Sequence, residues 1–273
     1  MKYETFPPHP DLASFVKCYW TLDVPAASEP QPQRIIPDGC IEMAFILGDD
    51  IKRFTSGNSF ILQPRAMVLG QTIEPFYIEP TGYVNTFAIR FYPYGFANFV
   101  TTPIAGLANT ETALADIFGE KPARELEHQI IHAPGTNVRI EIIERFFLER
   151  LSDRSTIDRI VKETVDVLTA THGSKPITAI LKNDASGRRQ LERKFLKQIG
   201  ISPKQLGKVV RLQAALKLMY SGKADTLTRV AYESEYYDQA HFIKDFKEFT
   251  GTSPKEFIGH ESHMLSALFY SGD

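Results

Sequence analysis

Apolar positions along this chain keep two rhythms, and the change between them falls near Tyr94. Before it they come in short runs, at 15–22, 34–36, 41–47, 51–55, 59–62, 67–69, 76–78 and 83–91. Gly39, Gly48, Gly57, Gly70 and Gly82 and a Pro-rich stretch at 25–33 stand between the runs. Many short β-type runs with Gly/Pro turns predict a small β-barrel or sandwich. The Pro-rich 1–11 reads as an arm leading into it. After Tyr94 the spacing turns helical. It predicts helices over 114–118, ended by Gly119, over 122–131, stopped near Pro134-Gly135, over 136–151 and over 156–171. In the third, Val138, Ile142, Phe146 and either Leu148 or Phe147 form the expected apolar side.

The helical rhythm is most informative at 225–258, which reads as two short helices joined by a tight turn. Leu227, Val230 and Ala231 give the first helix an apolar stripe, and Phe242, Phe246 and Phe249 give the second the same spacing. Asp225 or Thr226 is placed to cap the first and Asp238 the second, while Gly251 ends it ahead of Ser253-Pro254. With the phenylalanines buried, the opposite face carries Gln239, Ala240, Ile243, Lys244 and Lys247, amide, methyl and ammonium groups that suit base edges and phosphates. The arrangement recurs upstream: Phe195, Gly200, Ser202 and Pro203 repeat the spacing of Phe246, Gly251, Ser253 and Pro254. Such self-similarity marks duplicated supersecondary structure. The stretch 203–220 between the units, with Leu206, Val209, Val210, Leu212, Leu216 and Leu218, predicts a connecting helix.

Ala231, Tyr236, Asp238, Gln239, Phe242, Phe246, Lys247, Gly251, Ser253 and Pro254 together resemble the signature of AraC/XylS transcription regulators. That resemblance implies a C-terminal all-α domain of two helix-turn-helix units joined by a long helix, behind a cupin-like sensing and dimerising domain. Arg34 to Glu42 and Phe87 to Pro93 also look like strand-and-turn signatures of one subgroup. The partners implied are double-stranded DNA, a small-molecule effector, RNA polymerase and a second copy of the chain; no cofactor and no membrane is implied. The family's base-facing positions fall on Arg189, Glu192 and Arg193 in the first unit and on Gln239, Ala240, Ile243 and Lys244 in the second. Arg188, Lys194, Lys197, Lys208 and Lys247 are the expected phosphate contacts. The sequence departs from the pattern at both turns, where the usual glycine aligns with Ala185 and Glu235, and Gly187 replaces the usual serine cap. Those departures motivate a rival reading: a ligand-binding or protein-interaction module whose helix-turn-helix units no longer read DNA.

Charge supports the first reading. Residues 173–258 hold 16 Lys/Arg against 9 Asp/Glu, while the chain as a whole carries a formal −2. A basic third on an acidic remainder is a nucleic-acid footprint. The fold class expected is therefore α+β, with an effector and dimerisation domain at 1–152, a DNA-binding domain at 153–260 and a tail at 261–273.

Histidine placement bears on the first domain. His9, His128, His132, His172, His241, His260 and His263 all lie outside 15–92, which excludes the His-rich ligand set a metallo-cupin needs. No nucleophile, base and orienting group come together as an enzyme would require. A small barrel can still enclose a ligand, and Trp20, Met43, Phe45, Phe87 and Arg90 are candidates to line its pocket, although each is equally well explained as core. Cys18 and Cys40 sit in apolar runs and read as buried reduced thiols. With no signal peptide, and with Pro93, Gly95, Asn98, Pro103 and Gly106 interrupting the uncharged 91–110, a cytoplasmic location is expected.

Overall fold

The computed structural model describes residues 1–55, 59–151, 157–181, 185–221 and 226–258. Two antiparallel sheets make the N-terminal part. The larger has six strands: β1 (Lys2–Phe6), β2 (Val16–Val24), β4 (Ile41–Ile46), β7 (Ala66–Leu69), β9 (Val84–Phe91) and β10 (Glu111–Ala113), in the order β1-β2-β9-β4-β7-β10. The smaller has four: β3 (Gln33–Ile35), β5 (Ile51–Phe54), β6 (Phe60–Leu62) and β8 (Phe76–Pro80), in the order β3-β8-β5-β6. Two strands are absent from the sequence expectation. The arm at the N-terminus is β1, whose register runs from Lys2 opposite Asp23 to Phe6 opposite Tyr19. Its alternation is hidden in the sequence because this edge strand is largely exposed. β10 is a three-residue strand paired with β7.

Side chains alternate across the six-stranded sheet, and both faces are buried. Tyr19, Met43, Phe45, Phe87 and Phe91 point to one face and pack with α1 (Leu114–Phe118), α2 (Glu120–His132) and α3 (Thr136–Leu148). Trp20, Ala44, Ile46, Val84 and Ala88 point to the other, toward Ile51 and Ile78 of the four-stranded sheet. In α3 the buried residues are Ile143, Phe146 and Phe147, whereas Val138 and Leu148 are exposed, so the apolar side is rotated from the expected stripe. The consecutive Phe146 and Phe147 explain the ambiguity: the helix is wedged into a ring cluster with Phe91, Phe99 and Phe118.

The remainder is helical: α4 (Arg159–Ala170), α5 (Ile177–Ile180), α6 (Ala185–Gln198), α7 (Pro203–Tyr220), α8 (Leu227–Glu233), α9 (Gln239–Thr250) and α10 (Pro254–Ile258). The connecting helix is α7, opened by Pro203 at its first position and by a reciprocal capping box between Ser202 and Gln205. Its apolar side chains divide between two cores. Leu206 joins Val161, Leu191, Phe195 and Ile199, while Val209, Leu212 and Leu216 join Val230, Phe242, Phe246 and Phe249. Of the expected boundaries, 152/153 and the tail 261–273 lie outside the described residues, as does Asp225.

Candidate DNA-reading helices and effector cavity

The second helix-turn-helix unit is built from α8 and α9. Thr226 caps α8, its hydroxyl accepting from the Arg229 amide, and the Asp238 carboxylate caps α9 by accepting from the His241 amide at 2.7 Å. Between them Glu235 takes φ +59°, the left-handed region that normally favours glycine, and its amide donates to the Tyr232 carbonyl. The turn is thus made without glycine, which removes one ground for the rival reading. Gly251, at φ +74°, closes α9. Phe242, Phe246 and Phe249 are all but inaccessible, and Gln239, Ala240, Lys244 and Lys247 are exposed with Ile243 half-buried.

In the first unit the helix begins earlier than the family alignment implies. Ala185 is the first residue of α6 and Gly187 is a buried residue within it, so neither is the turn or the cap; residues 182–184 lie outside the described residues. Leu191, Phe195 and Ile199 are buried, and Arg188, Arg189, Arg193 and Lys197 are exposed, with Glu192 half-buried. Arg188 and Glu192 pair along the helix at 3.1 Å.

Two expected phosphate contacts are committed inside the protein. Lys208 lies between α7 and α9, 3.1 Å from Asp245 and 2.8 Å from Glu248, where its ammonium compensates the buried Asp245 carboxylate. Lys194 meets Asp158 at 2.6 Å and ties α6 to the start of α4. In sequence a lysine on a basic helix looks alike whether it faces solvent or a carboxylate from another element.

A cavity of about 740 Å³ lies between the two sheets and reaches α4 and α7. That is within the size range of small-molecule sites. Trp20, Leu22, Ala44, Ile46, Met67 and Phe76 give it an apolar body, and Val165, Leu206, Val210, Gln213 and Ala214 form its helical wall. Trp20 and Arg90 line it as expected, but Met43, Phe45 and Phe87 do not: the two-residue period of β4 and β9 turns them to the opposite face. The polar end is a buried ion cluster. Arg90 Nε donates to Glu42 at 2.6 Å, its Nη2 lies 3.2 Å from Asp38, and Trp20 Nε1 donates to Glu42 at 3.1 Å. Burial alone would lower the Arg90 pKa; the two carboxylates overcome that and hold it well above its ordinary value. Glu42 was not singled out from sequence, yet Trp20, Glu42 and Arg90 all sit at cavity-facing alternations, and Glu42 is directly opposite Arg90 in register. Burial pushes the neighbouring Cys40 thiol up to about 12, so it stays protonated; Cys18 and Cys40 are both free thiols.

The helical domain is joined to the sheets at several points. Arg34 of β3 donates to the Thr250 carbonyl at the end of α9 at 2.6 Å, to Thr252 Oγ1 at 3.0 Å and to the Tyr77 hydroxyl. Gln213 of α7 donates to the Pro37 carbonyl at 2.6 Å. Gly39, at φ +79°, brings its turn against Leu206, where an added Cβ would come within 3.3 Å of the leucine.

A family of helix-turn-helix domains matches residues 185–259, the span of both units and the helix between them. This is an AraC-type helix-turn-helix domain. The AraC-type domain follows a stretch, residues 4–113, that matches a domain of unknown function (DUF6597). Three solved structures of ToxT from Vibrio cholerae are similar to the chain. One has 15% identity and a TM-score of 0.47, covering 88% of this chain and 98% of that one. A second, bound to (E)-4-(8-methylnaphthalen-1-yl)but-3-enoic acid, has 14% identity and a TM-score of 0.46 with the same coverage. A third, bound to an unsaturated fatty acid, has 13% identity and a TM-score of 0.46, covering 87% and 94%. No curated protein matches the chain. Among the described residues, no helix is long and apolar enough to cross a membrane.

Proposed function

We propose that the protein is a sequence-specific transcription regulator that reads the DNA major groove with α6 and α9 and responds to a small, largely apolar molecule held in the cavity. The observation that carries this reading is that both helices bury an aromatic or aliphatic stripe and leave outward the side assigned to bases. Arg189, Glu192 and Arg193 serve as base readers of the first unit and Gln239, Ala240, Ile243 and Lys244 as those of the second. Arginine suits guanine O6/N7, and glutamate accepts from cytosine N4. Arg188, Lys197 and Lys247 supply phosphate contacts. A homodimer and contact with RNA polymerase belong to the same reading.

Regulation enters through α7, which is at once a wall of the cavity and the rod between the two units. A ligand that fits one placement of α7 better than another shifts the population toward that placement by its difference in affinity. The test is a mobility-shift titration of the purified full chain against duplexes it has itself selected from a random pool, repeated at several salt concentrations. The expected result is one preferred sequence, bound roughly 10³-fold or more above random duplex and weakening steeply with salt. Equal binding of all duplexes would contradict it.

A further inference from the structure

The sheets hold the second helix-turn-helix unit in a way that they do not hold the first. Arg34 of β3 is buried, and one amino group of its guanidinium donates both to the carbonyl of Thr250, the last residue of α9, and to Thr252 Oγ1. The other donates to the Tyr77 hydroxyl of β8, so the guanidinium bridges sheet and helix end. A cation placed there also faces the negative end of the α9 dipole. Two residues on, Ile36 is buried in the same core as Phe242, Phe246 and Phe249, and it lines the cavity as well. The short segment 34–36 thus touches the cavity on one side and the second unit on the other. Among the described residues, no hydrogen bond or ion pair joins α6 to either sheet; its Lys194 is bound to Asp158 instead.

We infer that Arg34 is a positioning residue, which sets α9 from the sheets and makes the second half of the DNA site the half that answers to the cavity. This rests on the proposed DNA-reading role of α9 and on the cavity as the ligand site, and it adds to α7 a second route between them. Lys208 fixes α9 against α7 through Asp245, and Arg34 fixes its C-terminal end against the sheets. A unit held at both places has less freedom to lose when it binds. A ligand that presses on Ile36 shifts the strand end that carries Arg34, and with it the end of α9.

Footprint titrations of the full chain on its selected duplex, read separately over the two halves, test the inference. The second half is the one whose base preference relaxes in Lys244→Ala. Arg34→Ala is expected to weaken protection of that half by at least about fivefold and to leave the first half unchanged. Tyr77→Phe spares the contacts with α9 and removes only the hydroxyl that holds the guanidinium, so a smaller loss in the same half is expected. Ala44→Phe, with Ala44→Leu as a milder filling, occupies part of the cavity as a fixed stand-in for a ligand. It is expected to change second-half protection by about fivefold or more in the natural chain and to have no effect in the Arg34→Ala background, a coupling that a merely structural role would not produce. Equal weakening of both halves, unchanged or stronger protection of the second half in Arg34→Ala, or a cavity filling that has no effect or acts without Arg34 would each overturn the inference while leaving DNA reading intact. A chain that selects no duplex at all would instead overturn the DNA-reading proposal, and this inference with it.

Discussion

The two helix-turn-helix units share an interior and differ in almost everything that faces outward. Each buries an aromatic and aliphatic stripe at equivalent positions, Leu191 and Phe195 in one, Phe242 and Phe246 in the other. Outward, α6 carries guanidinium and ammonium groups, partly tied down by Glu192, whereas α9 carries an amide, a methyl group, a half-buried isoleucine and ammonium groups. Repetition of the core specifies the same scaffold twice. The outward residues are free to diverge because they do not decide whether the scaffold folds.

The largest break in this comparison comes from its shared part. Phe246→Ala empties a fully buried site that contacts Phe242 and Phe257. It should cost about 3–5 kcal/mol, read by chemical denaturation, and should silence the second half of the DNA site with the first half spared. Next in size are the outward residues: Arg193→Ala and Lys244→Ala should each weaken specific binding by about 1–3 kcal/mol, without loss of thermal stability, and each should relax a base in a different half-site. Relaxation at the same base would contradict the assignment of one unit to each half. Glu235→Gly sharpens the comparison at the turn. It relieves a left-handed residue at a cost of about 1–2 kcal/mol in L-amino acids, offset by about 0.5–1 kcal/mol of added chain entropy, so a gain of about 0.5–1 kcal/mol is expected in thermal melts. A loss would show that Glu235 is held by something besides its backbone. The smallest effect separates two lysines. Lys197→Ala should reduce the salt dependence of binding by about one counterion, and Lys208→Ala should leave the slope unchanged because its ammonium is occupied by Asp245 and Glu248.

Much of this architecture was legible along the chain, and the remainder hidden for identifiable reasons. The connecting helix expected over 203–220 is α7, Pro203–Tyr220, because Ser202-Pro203 and the capping glutamine Gln205 fix its start locally. The outward faces of α6 and α9 are legible because the opposite face of each carries large buried residues at a 3.6-residue period. The cavity is half legible: of the candidate lining residues Trp20 and Arg90 line it, while Met43, Phe45 and Phe87 take the core alternative on the opposite face. When both faces of a sheet are buried, hydrophobicity no longer tells one side from the other. Only the register, Glu42 opposite Arg90, does so. Pairings between distant segments, such as Arg34 with Thr250 and Lys208 with Asp245, leave no local trace at all.

The most direct measurement is a hydroxyl-radical footprint of the full chain on its selected duplex. Two protected stretches on one side of the DNA, centred about one helical turn or roughly 34 Å apart, are the result this account predicts. A single protected stretch, or two on opposite sides of the duplex, would contradict it.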